Sequence, residues 1–367
     1  MTAARRRMLP PLALLLSTTL GSCSVDDESL LVVAVRELGP TATTEGIRAR
    51  EGAHSAWVFG HTVWAFADTS LSTADAQGGL RRDSSWSHSQ DRIATDGIAG
   101  FVTPQDSWGG PAEFLAFTSE ELDFNTAQAA AGSRVSLRPL TLIDDPLRHR
   151  VLVFYAKSLE ESAGTSPVGS SIAAWAQFDL SPTRPVLDAD GEEPTLLFRA
   201  PEPMFGAAAA SVDGESVYVW GCVDRQLDRP CWLAQVGLAD AFDRQAWRFW
   251  TGSDWSSELT EAAIAFDGTP VLSIHRNHLL DRWLAIYADP ESDAVLLRSA
   301  AAPTGPWSDE SLLFRAEAGA DGSLPRFALG HPDLAADGGR LEYVSYVRST
   351  DGGGSELRLV ELELAAP

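Results

Sequence analysis

Basic side chains and cysteine are both scarce in this chain. Across 367 residues, 28 Lys plus Arg stand against 51 Asp plus Glu, a net charge of −23. Such a field repels a polyphosphate instead of releasing its counterions, which excludes a nucleic-acid partner. Disorder is excluded as well, because 44% of the residues are hydrophobic, enough to build a core. No Walker loop, dinucleotide fingerprint, zincin motif or Gly-x-Ser-x-Gly elbow is present. No cofactor is therefore expected, although the sequence leaves open a channel cation such as calcium. Convincing amphipathic helices are also missing, which points to an all-β chain.

The one strongly basic stretch is N-terminal. Arg5-Arg6-Arg7 precede an apolar run from Met8 to Leu20, too short to span a bilayer as a stable helix, and together they read as an export signal. Leu20-Gly21-Ser22-Cys23 resembles a bacterial lipobox, so residues 1–22 are expected to be removed and Cys23 to be lipidated. Ser24 in place of Asp points to the outer membrane or cell surface. Loss of residues 1–22 removes three Arg and no acid, leaving a mature charge of −26, so the favoured partner is a neutral glycan. Of three cysteines, Cys222 and Cys231 then remain. They flank a polar tip between two strand-like runs, and in an oxidising compartment a disulfide is expected; no His lies near them in sequence to make a metal pair. No oligomer signal is visible, and a monomer is expected.

Strand signals recur from end to end. The clearest are VWAFAD (63–68), RVLVFYAK (150–157), SIAAWAQFDL (171–180), SVYVWGC (216–222), CWLAQVGL (231–238), RWLAIYAD (282–289), AVLLRSA (294–300), LEYVSYVR (341–348) and SELRLVELEL (355–364). A weak repeat joins EPTLLFRA (193–200) to SLLFRA (311–316), an interval of 116 residues. Two strand groups in that interval give about 58 residues each, the size of a four-stranded propeller blade. Five such blades fit between residues 45 and 367; a β-sandwich is the rival. Residues 23–44 read as a tether followed by a strand, LLVVAV (30–35), that completes the last blade. Residues 70–90 and 160–168 read as polar surface loops.

At this point the chain resembles a known family. Arg50-Glu51-Gly52-Ala53-His54-Ser55, then Gly60, Trp64 and Phe66-Ala67-Asp68-Thr69, is similar to the opening blade of a bacterial domain-of-unknown-function family of five-bladed β-propellers, whose usual forms are R-D-G-G-x-S and W-x-F-G-D-T. Further matches follow in order: Thr95-Asp96-Gly97, Gly110 to Phe114, Phe117-Thr118 with Glu121 and Phe124-Asn125, Phe205-Gly206, AWRFWTGSDW (246–255), Leu272 to His275 with Asn277, Gly305-Pro306-Trp307-Ser308 and His331-Pro332-Asp333-Leu334. The family is related to glycoside hydrolases that cleave furanosides, and some members are endo-D-arabinanases. The resemblance implies first-blade carboxylates at Glu51, where Asp is usual, and at Asp68. Ala67 replaces a usual Gly, and Arg138-Pro139 stands where many relatives have Trp-Pro.

Glycoside hydrolysis needs two carboxyls, one protonated and one ionised, on opposite sides of the scissile bond. Glu51 and Asp68 can occupy successive strands and face each other near the channel mouth; Glu113 and Asp96 are further catalytic candidates. Asp68-Thr69 can equally cap a turn. Substrate contacts are assigned to Arg50, His54, Phe205 and Glu202, the last expected to start blade three and point toward the axis. His275 and Asn277 share one face of a strand and His278 the other, which is awkward for a two-His metal site. Sugar contact suits His275 and Asn277, as does a turn at Asn277; His331 either enters the channel or caps the last blade. Two functions fit, a hydrolase of a neutral glycan such as an arabinofuranoside, or a propeller that binds a glycan or partner without turnover.

Overall fold

The computed structural model describes residues 32–41, 44–76, 78–225 and 228–365. The expected signal and lipidation site lie outside them. Strand β1 (Val32–Pro40) is followed by five antiparallel sheets arranged as propeller blades. Blade one holds β2 (Ile47–Val58), β3 (His61–Leu71) and β4 (Arg81–Ser89). Blade two holds β5 (Arg134–Asp145), β6 (Arg150–Glu161), β7 (Gly164–Trp175) and β8 (Phe198–Arg199). Blade three holds β9 (Ala209–Asp213), β10 (Ser216–Cys222) and β11 (Pro230–Gly237), with β12 (Arg248–Trp250), β13 (Trp255–Ser256) and β14 (Ile264–Asp267) along its outer edge. Blade four holds β15 (Ser273–Asn277), β16 (Arg282–Ala288), β17 (Ala294–Ala300) and β18 (Ser311–Arg315). Blade five holds β19 (Arg326–Gly330), β20 (Leu341–Thr350) and β21 (Gly354–Leu364), and β1 pairs with β21 as its fourth strand.

The first strands of the blades, β2, β5, β9, β15 and β19, touch in a closed ring. They surround the axis, and the first and last described strands meet in blade five. Five buried clusters fill the five seams between blades. Trp86 and Phe114 meet Trp175 between blades one and two, and Phe154 and Phe198 meet Phe205 and Phe249 between two and three. Trp220 packs with Trp283 between three and four, Val295 with Tyr346 between four and five, and Tyr343 with Trp64 between five and one. A sandwich has no such ring of seams, so the propeller reading stands. The repeated LLFRA motifs fall on β8 and β18, the outer strands of blades two and four, two blades apart as the interval requires.

Three local expectations need correcting. Residues 81–89, read as loop, form β4, most of whose polar side chains are buried, with the Ser84, Ser85, Ser87 and Ser89 hydroxyls hydrogen-bonded. Residues 160–168 are the tip of the long β6–β7 hairpin, extended because both arms keep pairing out to Glu161 and Gly164. The run 171–180 stops as a strand at Trp175. The all-β reading holds; among the described residues one α-helix, α1 (Ser119–Gln128), accompanies the strands, and Thr118 and Glu121 cap it reciprocally. That capping box, with Asn125 bonded to both the N–H and C=O of Val135, accounts for the Thr118, Glu121 and Asn125 motif. Cys222 and Cys231 face each other across β10 and β11 and form a disulfide.

Candidate active site at the channel mouth

The β2–β3 pairing slips three times near its start, between Ile47 and Ala49, between Ala49 and Glu51 and between Gly52 and His54. Such bulges bend a strand and re-aim side chains. Gly52 (φ 83°) and Ala53 (φ 104°) hold left-handed backbone here, as does Asp68 (φ 22°) on β3. For Ala53 and Asp68 that geometry is strained, and it sits where the candidate carboxylates are.

Glu51 and Asp68 are brought together, each about a quarter exposed. Asp68 pairs with Arg81 of β4 and, at 3.3 Å, with Nη2 of Arg138 on β5. Glu51 lies 3.6 Å from Nη2 of Arg326 on β19. The cluster therefore draws on the innermost strands of blades five, one and two. Desolvation raises the Glu51 carboxyl pKa, the Arg326 charge opposes it, and the Asp68 charge adds to it. One carboxyl thus tends to keep its proton beside another locked into arginine pairs, the division of labour an acid–base couple needs.

Outward along the seam of blades one and two, Arg81 also bonds both Oε atoms of Glu160 at 2.8 Å and approaches Asp83 at 3.7 Å. Asp68, Asp83 and Glu160 present oxygens close enough together for a cation. The Arg81 guanidinium already occupies that position, and Arg134 pairs with Asp83 from the other side. These residues do not fit a metal ion. Behind Asp83, Glu113 accepts from the backbone N–H of Asp83 and Ser84 and from the Ser84 hydroxyl. Burial pushes Glu113 up to about 7. It supports β4 from the interior and does not line the mouth.

The remaining sequence candidates lie elsewhere. Asp96 is exposed in a turn whose Thr95 carbonyl accepts from Arg36 of β1, at the outer edge of blade five. Glu202 does not point to the axis; it accepts from the Arg199 N–H and pairs with Arg244 at 2.9 Å, on the outer rim between blades two and three. Phe205 is buried in the seam core. Asn277 donates to Gly339 O at 2.7 Å and to Glu342 Oε1 at 2.5 Å, bracing blade four against blade five. His275 faces the other oxygen of Glu342 at 3.3 Å. His54 and His331 are buried, and desolvation lowers them to about 4 and about 3. Arg50 donates to Ser87 and Thr103, in the seam of blades five and one.

Sequence reasoning missed Arg81, Asp83, Arg134, Glu160 and Arg326. Two signals were available: Arg81 and Asp83, and Arg134 and Arg138, are spaced two and four residues apart on strands, so each pair can share a face.

The five sheets and their closed ring of inner strands define a five-bladed β-propeller. The profile of the family described as "Domain of unknown function (DUF4185)" matches residues 174–346, which agrees with the family resemblance in the sequence. Notoamide biosynthesis cluster protein J of Aspergillus sp. (strain MF297-2) is 31% identical over 136 residues, 35% of each chain, so the chain spans about a third of that curated relative. Among solved structures, a provisionally named hydrolase from Bacteroides ovatus aligns with TM-score 0.58 at 12% identity, over 87% of each chain. A protein of unknown function from Dyadobacter fermentans gives 0.52 at 13%, over 91% of this chain and 100% of that one. The GH43_1 enzyme from Xanthomonas citri, in complex with xylotriose, gives 0.51 at 10%, over 90% and 92%. At these identities the likeness is one of fold.

Proposed function

We propose that the channel mouth binds a neutral glycan and hydrolyses it, with a furanoside such as an arabinofuranoside as the substrate class. The observation that carries this reading is the unequal pair at the mouth, Glu51 with a raised pKa beside Asp68 in its arginine pairs. Glu51 gives its proton to the leaving glycosidic oxygen. Asp68 takes a proton from the water that attacks the anomeric carbon, or attacks it directly. A mature charge of −26 supports a neutral substrate over an acidic polymer.

The test is release of reducing ends from a panel of neutral polysaccharides, including D- and L-arabinans, by the wild type, Asp68→Asn and Glu51→Gln. Release that depends on both carboxyls supports hydrolysis. One observation favours binding without turnover: Arg138 pairs with Asp68 and so competes for the carboxylate that must meet water. Retention of the wild type on one glycan gel with no cleavage of any would select that alternative.

The same proposal places the protein outside the cell membrane, carried by acyl chains on Cys23. Radiolabelled palmitate should enter the wild type and not Cys23→Ala, and the variant should move from the membrane pellet to the soluble fraction. Equal labelling of the two would sink the assignment.

A further inference from the structure

A small cavity of about 50 Å³, open to solvent on one side, lies in the seam between blades five and one, and Arg50 lines it. Nη1 of Arg50 donates to Ser87 Oγ at 2.8 Å, Nη2 donates to Thr103 Oγ1 at 3.1 Å, and the guanidinium lies 4.4 Å from the centre of the Phe66 ring. All three partners are neutral. Nε is buried and donates to nothing. Comparable arginines elsewhere each reach a carboxylate: Arg82 pairs with Asp75 and Asp106, Arg150 with Asp145, Arg184 with Glu121, and Arg358 with Glu37. Among the described residues no carboxylate lies within ion-pair distance of Arg50. A largely desolvated cation without counter-charge is costly, and folded chains normally pair it. Burial lowers the guanidinium to about 9, still above neutral pH, so the charge persists.

The rest of the cavity fits an anion of a particular kind. Thr44 brings a hydroxyl that also meets Thr103 Oγ1 at 2.8 Å, Ser355 Oγ is engaged with the Arg50 backbone, and Ile47, Phe101 and Leu357 supply apolar wall. Glu356 also borders it, but Arg348 and Arg358 hold that carboxylate at 2.7 and 3.0 Å. We propose that this cavity is a binding site for a small organic carboxylate on a short apolar body, with Arg50 as its counter-charge. The guanidinium supplies a planar fork matched to a carboxylate, the Thr44 hydroxyl adds a hydrogen bond, and the apolar wall takes the body. The acidic surface of the whole chain disfavours larger polyanions. This site shares no residue with the Glu51 and Asp68 cluster and does not depend on hydrolysis.

The test is calorimetric titration of the purified protein with sodium benzoate, and with benzamide and inorganic phosphate as controls. Expected is saturable benzoate binding at one per chain, weakened roughly tenfold or more for benzamide and for phosphate. Asp68→Asn should bind benzoate as the wild type does, and Arg50→Gln should lose it. If Arg50→Gln fails to fold, the wild-type comparison of benzoate with benzamide decides alone. Absence of saturable benzoate binding, equal affinity for benzamide, tighter binding of phosphate, or benzoate binding that survives Arg50→Gln each overturns the proposal.

Discussion

The Ser55 hydroxyl stands 2.7 Å from Nδ1 of His331 and 2.6 Å from Oδ1 of Asp333, joining the innermost strand of blade one to the turn that follows β19 in blade five. Nε2 of His331 meets the Ser345 hydroxyl at 2.7 Å, so both ring nitrogens are satisfied by hydroxyls in the interior. Ser55→Ala strands a ring nitrogen and a carboxylate oxygen together. The expected loss is about 1–3 kcal/mol, the cost of buried polar groups without partners. Urea unfolding should show it as a lower midpoint at unchanged slope. A midpoint equal to the wild type would mean that channel water replaces the hydroxyl.

Stability should depend on pH through two opposed sets of buried groups. Glu113 and Asp333 are raised by burial from 4.5 to about 7 and from 3.8 to about 6. Their favourable contribution is complete below the unfolded values and is lost as pH rises through the folded ones. His54 and His331 are lowered by burial from 6.5 to about 4 and about 3. Theirs is complete above 6.5 and is lost as pH falls through the folded values. Glu113→Gln isolates one member. Its stability deficit against the wild type should be wider near pH 5 than near pH 8 by about 2 kcal/mol, because only the wild type gains from holding a proton there. A deficit independent of pH would show that Glu113 is ionised in the folded protein at both values.

How far the sequence revealed this architecture depends on which groups each strand buries. β6, β10, β16 and β20 were legible because their apolar runs fill seams on both sides. β4, with the sequence RRDSSWSHS, was not. Its polar residues are buried because they find partners, among them Asp75 and Asp106 for Arg82 and Glu113 for Asp83 and Ser84, and Asp106 and Glu113 lie more than twenty residues away in sequence. The mouth divides in the same way. Glu51 and Asp68 lie on adjacent strands and could be paired from their spacing. Arg81, Arg138 and Arg326 come from β4, β5 and β19, and only ring closure brings them together. Phe205 shows the converse, a residue assigned to substrate that is packed in the core.

Gly206 tests that packing role. It has φ +81°, and a Cβ placed there would lie 2.4 Å from Cδ1 of Phe154. The backbone conformation and the aromatic wall both oppose a side chain, so Gly206→Ala should cost about 3 kcal/mol. Phe154→Leu made in the same chain opens the clash, and the double variant should be more stable than the sum of the two single losses predicts. Strict additivity in urea unfolding would place the damage in the backbone alone.

Arg326 is the most direct handle on the mouth. Its charge works against the desolvation that raises the Glu51 carboxyl. Arg326→Gln removes the opposing charge and moves the Glu51 pKa further up. A general acid must be protonated, so activity is lost as pH rises through that pKa. In Arg326→Gln the alkaline limb of the kcat/KM profile on the active glycan should therefore shift to higher pH. An alkaline limb that stays in place, or moves to lower pH, would take the proton-donor role away from Glu51.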